Sequence, residues 1–256
     1  MTDRNIKAVV SYDGTDFAGW QFQKEARSVQ GVIEEALARM HGHPVFANGA
    51  GRTDSGVHAS GQVFNFRTHI AGMEARNFTP ALNRLLPRDV RIHSAVQVPD
   101  DFDARRSALM REYRYHIYPD RVVPPHLRRY CWGIHKRLDP GLLNRMAVRL
   151  VGTHDFTSFA ALRDPNDSKF RDVYSAAFFP EGPFLVFRIV GSSFMWRMVR
   201  NLVGTLLTLA GDGESPEKVS EILEARDSYR SEMTAPARGL FLHKVLYGEE
   251  VERGVY

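Results

Sequence analysis

The 256-residue sequence has a single cysteine, Cys131. One thiol cannot close an intrachain disulfide, so a disulfide-stapled scaffold is excluded and a reducing cytoplasm is expected. No apolar run approaches the ~20 residues that a bilayer-spanning helix needs, which excludes a transmembrane helix and leaves no membrane partner expected. The opening stretch, MTDRNIKAVVSYDG, has no apolar core of the signal-peptide kind, again in line with a cytoplasmic location. Low-complexity tracts are absent. Lysine is scarce as well: of 34 basic residues, 28 are Arg and 6 are Lys, and the formal net charge is only +4. Apolar residues make up 43% and charged residues 25%, the balance of an ordinary globular protein long enough for one large domain or two modest ones.

The excess of arginine suits nucleic acid, because a guanidinium grips phosphate through two parallel hydrogen bonds and stacks on bases. A GC-rich genome gives the same bias, so composition alone does not separate the two. The local pattern is more informative. Arg105, Arg106, Arg111 and Arg114 are interleaved with Tyr113, Tyr115 and Tyr118, as on a surface that tracks a phosphate backbone and stacks bases.

Periodicity lays out the elements. Strands are expected at Ile6–Tyr12, Val45–Ala47, Gln62–Arg67, Val90–Val98, Arg111–Tyr118, Val173–Phe179, Phe184–Val190 and Leu240–Tyr247. Ser28 caps a helix carrying Val29, Ile33, Ala36, Leu37 and Met40. Thr79-Pro80 opens a second, Asp139-Pro140 a third through Leu142, Leu143, Met146 and Leu150, Met195–Ala210 forms a strongly apolar fourth, and Ser215-Pro216 opens a fifth. Strands interrupted by helices in two similar halves predict an α+β architecture, with a mostly antiparallel sheet backed by helices. The boundary falls near Asp101–Arg106, giving halves 1–104 and 105–256. Asp120–Arg129 and Asp164–Lys169 read as the mobile loops, and Glu249, Glu250 and Glu252 as a solvated tail.

The most informative segment is Gly49-Ala50-Gly51-Arg52-Thr53-Asp54-Ser55-Gly56-Val57-His58-Ala59. It sets one carboxylate, Asp54, beside an arginine in a glycine-punctuated loop between two strands. Loops on a rigid scaffold are where catalytic groups sit, although a tight turn would use the same residues. Other apparent signals carry less. His41-Gly42-His43 and the trio His126, Cys131 and His135 lack the spacing of a closed metal site, so no metal is expected. Gly49-Ala50-Gly51 lacks the third glycine of a dinucleotide fingerprint, and no phosphate-binding-loop lysine is present.

Four further segments accompany that loop: Tyr12-Asp13-Gly14-Thr15-Asp16-Phe17-Ala18-Gly19-Trp20-Gln21, Arg111-Glu112-Tyr113-Arg114-Tyr115, Phe194-Met195-Trp196-Arg197-Met198-Val199-Arg200-Asn201 and Thr234-Ala235-Pro236-Ala237-Arg238-Gly239-Leu240. In order and spacing, from about Ile6 to Tyr247, the five together resemble the tRNA pseudouridine synthase A family. The resemblance implies two ferredoxin-like (RRM-like) halves around a basic cleft, a homodimer, no cofactor, and isomerisation of uridines on the 3′ side of the tRNA anticodon stem and loop. The N-terminal half would carry the aspartate loop and the C-terminal half would complete the active site and RNA cleft.

By the same resemblance Asp54 is the catalytic aspartate. Whether it attacks C1′, attacks C6 or promotes deprotonation at C2′ is left open. A carboxylate shut away from water needs a cation to stay ionised, and Arg200 matches the family's arginine for that role. Tyr113 matches the active-site tyrosine, able to stack on the extruded uracil and relay the C5 proton. Arg52 would wedge into the gap left by the flipped nucleotide. Leu240 would wall the base, and Arg197, Arg105 and Arg111 are candidate RNA contacts. Trp196 departs from the family pattern, which puts a polar or basic residue there. A passive RNA-binding platform of the RRM type would share the aromatics but has no need of a paired acid and arginine.

Overall fold

A computed structural model describes residues 3–135, 138–228, 233–248 and 251. The tail glutamates Glu249, Glu250 and Glu252 lie outside the described residues. In chain order the elements begin with β1 (Arg4–Tyr12), α1 (Val29–His41), β2 (Asn48–Gly49), β3 (His58–Thr68), α2 (Phe78–Leu85) and β4 (Val90–Val98). They continue with β5 (Met110–Tyr118), β6 (Trp132–Gly133), α3 (Pro140–Val148), β7 (Gly152–Asp155), β8 (Phe170–Glu181) and β9 (Phe184–Gly191). Last come α4 (Met198–Gly211), α5 (Glu217–Ala225) and β10 (Leu240–Leu246). The architecture is α+β, a large, mostly antiparallel sheet backed by helices. The chain forms two compact units, Met1–Leu109 with Leu242–Tyr256, and Met110–Phe241.

In the first unit the strand order is β4-β1-β3-β10, with β2 pairing β3. Alternation in β1 buries Ile6, Ala8, Val10 and Tyr12, and in β3 it buries Phe64 and Phe66 beside them. Helix α1 lays Val29, Ile33 and Leu37, all fully buried, into this core. Each such side chain contributes about 1.5–3 kcal/mol over leaving it in water. Ser28 caps α1 by accepting the Gly31 N–H (3.2 Å), and Gly42 closes it at φ +75°, where a left-handed residue is needed. The other face of β1 is closed by amides: Asn65 Nδ2 donates to Asn5 Oδ1 (2.9 Å), and Asn5 donates to the carbonyls of Pro99 and Phe102.

In the second unit the order is β5-β9-β8-β7, antiparallel throughout, with β6 parallel to β5. Helix α3 starts at the Asp139 cap, whose carboxylate accepts the Gly141 N–H (2.8 Å). Asn144 on α3 bonds both backbone groups of Phe178 on β8, fixing helix to strand.

Three sequence expectations need correction. Val45–Ala47 is not a strand, although its in-out alternation is real: Val45 and Ala47 are buried and Phe46 is 66% exposed. The Ala47 N–H donates to Glu34 Oε1 and its carbonyl accepts from Gln30 Nε2, so side chains of α1 take the bonds a neighbouring strand would have taken. The pairing resumes at β2. Helix α2 begins at Phe78 rather than after a Thr79 cap, because a 3-10 turn over Ala75–Asn77 runs straight into it and buried Phe78 anchors it. Pro80 is tolerated in that first turn, where no intrahelical N–H is needed. Helix α4 begins at Met198, not Met195, because Arg197 takes a left-handed conformation (φ 60°, ψ 1°).

Candidate active site

The Asp54 loop belongs to the first unit, between β2 and β3. Alternation along it turns Thr53 inward, 7% exposed, and leaves Arg52 exposed and Asp54 partly exposed. Thr53 is the anchor. Its Oγ1 lies 2.8 Å from the hydroxyl of Tyr12, itself 4% exposed, and its carbonyl accepts the Trp20 N–H (3.1 Å). The Asp54 carbonyl accepts the Val57 N–H (3.1 Å) across a turn whose third residue, Gly56, has φ +75°, a conformation that favours glycine.

The segment Tyr12–Gln21 forms the support under this loop. A Cβ on Gly14 would sit 2.0 Å from the Val57 carbonyl oxygen, and one on Gly19, already at φ +107°, would sit 2.6 Å from that of Thr53. Both glycines are therefore required for two backbones to touch. Phe17 accepts from Gly56 N–H and Ser55 Oγ, and Trp20 stands between Tyr12 and Phe64 with ring centroids 6.1 and 6.3 Å away. At the far end of the loop the Gly14 N–H donates to Nδ1 of fully buried His58 (3.0 Å). The Asp13 carboxylate lies 3.2 Å from the same ring nitrogen and accepts from the backbone N–H and hydroxyl of Thr15.

The second unit holds Arg111, Tyr113, Arg197, Arg200 and Leu240. On β5 the odd residues face the core: Tyr113 is 9% exposed and meets Phe194 edge to face (5.2 Å, 84°), while Tyr115 is fully buried. Burial pushes the Tyr115 phenol far above its ordinary value, against the opposing charges of Arg200 and Arg238, and its hydroxyl donates to the Pro236 carbonyl (2.8 Å). Gly239 lies against the same ring, where a Cβ would sit 2.6 Å from it. On the opposite face, Arg114 binds Glu112 (2.8 Å) and Glu181 (2.9 Å). Alternation along the strand thus puts Arg111, Tyr113 and Tyr115 on one face and Arg114 and Tyr118 on the other. Arg111 Nη1 donates to the Ser192 carbonyl (2.7 Å).

Arg200, in the first turn of α4, and Ala235 are tied reciprocally: Arg200 Nε donates to the Ala235 carbonyl (2.7 Å), and the Ala235 N–H donates to that of Arg200 (3.1 Å). Thr234 Oγ1 donates to Asn201 Oδ1 (2.6 Å), and Gly204 lets α4 approach Met233 so closely that a Cβ would lie 1.9 Å from its carbonyl oxygen. The segment 234–240 is thereby fastened to α4 and to Tyr115 at once, and it delivers Leu240, 6% exposed, to the start of β10.

Of the expected site residues, Arg52, Asp54 and Arg105 belong to the first unit and the others to the second. Arg105 is exposed just after Asp103, whose carboxylate accepts the N–H groups of Arg105 (2.9 Å) and Arg106 (2.8 Å). Burial by itself would raise the Asp103 carboxyl, but these two bonds with that of Asn48 outweigh it and lower it. The supporting residues Tyr12, Thr53 and His58 were not singled out from sequence. The signal was the loop's own alternation, which makes the residue between Arg52 and Asp54 an inward one, but the partner it meets is 41 residues away.

Comparison with known proteins agrees with these motifs. A family model described as tRNA pseudouridine synthase matches residues 8–105 and 146–248. The chain is 45% identical over 256 residues to tRNA pseudouridine synthase A of Treponema denticola, covering 98% of this chain and 96% of that protein. It is 41% identical over 251 residues to the protein of the same name from Brachyspira hyodysenteriae, covering 96% and 99%. For that from Moorella thermoacetica the identity is 42% over 244 residues, covering 94% and 99%. The chain therefore belongs to the tRNA pseudouridine synthase family.

Proposed function

We propose that this protein is an isomerase converting uridine to pseudouridine in tRNA, acting on uridines on the 3′ side of the anticodon stem and loop. The glycosidic C1′–N1 bond breaks, the uracil turns in place, C1′ joins C5, the hydrogen of C5 leaves as a proton and N1 takes one up, so the product is an isomer. The observation that carries this reading is the Asp54 loop, a partly exposed carboxylate on a backbone held by Tyr12, Gly14, Gly19 and Trp20. A carboxylate needs such fixation if it is to act on one atom of an extruded nucleotide.

In this reading Asp54 is the catalytic carboxylate and Arg200 the cation that keeps it ionised. Tyr113 stacks on the uracil and relays the C5 proton, and Arg52 fills the space the nucleotide leaves. Leu240 walls the base, and Arg105, Arg111 and Arg197 contact the RNA backbone. The fold is read as two ferredoxin-like halves, 1–104 and 105–256, with a basic cleft for the RNA. The working form is a cytoplasmic homodimer without metal or organic cofactor, which sedimentation of the pure protein would check.

The test is Asp54→Asn with tRNA carrying tritium at C5 of uridine. The variant binds the tRNA but releases no tritium to water; turnover comparable to that of the unaltered protein would discard the assignment.

A further inference from the structure

Trp196 is the residue of the second unit that the proposed chemistry leaves unexplained, and its setting is unusual. It is 43% exposed, and its backbone is held at both ends. The Trp196 N–H donates to Asp164 Oδ2 (2.8 Å), and its carbonyl accepts the Ala161 N–H (3.0 Å). The Asp164 side chain is fully buried and also binds Lys169 Nζ (3.0 Å). Burial alone would raise this carboxyl, but the bonds from Trp196, Asn166 and Lys169 prevail and bring it to about 2. The next residue, Arg197, takes φ 60°, one of two positive φ values among the described non-glycine residues. That conformation is unfavourable for a residue with a Cβ, and the Arg197 guanidinium lies over the indole, 5.0 Å from the ring centroid.

The turn bonded to the Trp196 backbone carries an apolar and a cationic side chain. Ala161 and Asp164 close a turn (Asp164 N–H to Ala161 carbonyl, 2.8 Å), which leaves its two corner residues, Leu162 (64% exposed) and Arg163, outside. The acid of the turn, Asp164, faces inward and is matched by Lys169, while Asp167 lies three residues further along the loop. An exposed indole on an anchored backbone, with Arg197 over its ring and Arg163 on the turn bonded to it, has the makings of a single-stranded nucleic-acid contact: a π-face for any base and cations for the adjoining phosphates. A protein partner would find the same apolar ring, but the guanidinium over it and the second arginine on the adjoining turn favour a phosphate-bearing ligand.

The geometry points to Trp196 as a platform on which one unpaired base of the RNA substrate stacks, with Arg197 and Arg163 on its phosphates. This rests on the reading of the protein as a tRNA-modifying enzyme. It concerns a nucleotide other than the one isomerised.

The experiment is steady-state pseudouridine formation on an unmodified tRNA transcript, with the wild-type protein, Trp196→Ala, Trp196→Phe and Arg197→Met. Trp196→Ala raises KM about tenfold, the size of one lost base stack, and leaves kcat within about twofold. Trp196→Phe, which keeps a ring, recovers most of the loss. The salt dependence of KM stays the same for Trp196→Ala, whereas Arg197→Met lowers the slope by about 1. The wild-type protein is also read by acrylamide quenching, because Trp20 is buried and Trp132 half-buried, so Trp196 dominates the quenchable emission. Saturating tRNA suppresses that quenching. An unchanged KM in Trp196→Ala, or quenching that tRNA does not alter, overturns the inference. If the alanine variant does not fold, the phenylalanine variant must still raise KM modestly and the quenching must still respond, or the inference fails. Wild-type turnover on the same transcript reports separately on the proposed function: its absence removes that reading, whereas its presence with no effect at Trp196 removes this inference alone.

Discussion

The buried hydrogen bond between Tyr12 and Thr53 provides a direct test of how the aspartate loop is held. Its oxygens are 2.8 Å apart, and both residues are under a tenth exposed, so neither hydroxyl can turn to bulk water when the other is removed. Tyr12→Phe strips the Thr53 hydroxyl of this partner. The expected loss of stability is about 1–3 kcal/mol, more than the ~1 kcal/mol that an average hydrogen bond contributes, because a buried oxygen is left without that bond. Thr53→Val should cost a similar amount. The double variant removes both polar groups, so its loss should fall short of the sum of the single losses by about 1 kcal/mol or more. Urea denaturation of the four proteins gives this coupling directly.

For Asp54 in its proposed catalytic role, the consequence follows from chain connectivity. Thr53 immediately precedes Asp54, and misplacing a reacting group by about 1 Å costs up to ~100-fold in rate. The Trp20 N–H and the Gly19 contact still restrain the Thr53 carbonyl, so the loop loosens without collapsing. A fall in kcat of roughly three- to tenfold with KM nearly unchanged is expected for Tyr12→Phe, since positioning rather than binding is impaired. Additive stabilities across the cycle, or an unaltered kcat in a folded Tyr12→Phe protein, would refute the reasoning.

Three more outcomes are expected. Gly19→Ala combines a left-handed backbone (φ +107°) with a Cβ 2.6 Å from the Thr53 oxygen, so it should destabilise by about 2 kcal/mol or more and depress kcat; a melt identical to wild type would contradict that contact. Gly204→Ala gives opposite signs from two arguments. Helix propensity alone predicts a gain of about 1 kcal/mol, but a Cβ 1.9 Å from the Met233 oxygen predicts a clear loss, and a lowered urea midpoint decides for the contact. Asp164 titrates at about 2 when folded against an ordinary 3.8, so its contribution, about 2 kcal/mol, is fully present above pH ~4 and lost as pH falls through about 2. The Asp164→Asn protein should accordingly lose less stability between pH 4 and pH 2 than wild type does.

Local pattern made most of the framework legible. The alternation of β1, the Ser28 and Asp139 caps and the exact span of β4 were all readable, because neighbours in the chain supply the bonds and the burial that define them. The misreadings came where a distant group took over a backbone bond. Glu34 and Gln30 turned Val45–Ala47 away from strand pairing, and the turn at Trp196–Arg197, tied to Asp164, delayed the start of α4.

For the site, the sequence by itself determined which chemistry is available: one carboxylate beside an arginine in a glycine-rich loop, and the five ordered motifs of a tRNA-modifying family. Only the tertiary structure decided what holds those groups. Tyr12 reaches Thr53, Gly14 and Gly19 admit the loop's backbone, and Ala235 clasps Arg200. Spacing along a chain sets which residues can share a face, but a hydrogen bond between groups 41 residues apart depends on the path of everything between them. The exposed Trp196 lies at the same limit: its identity was visible as a departure, and its rigidity became visible only with the buried acid that pins it.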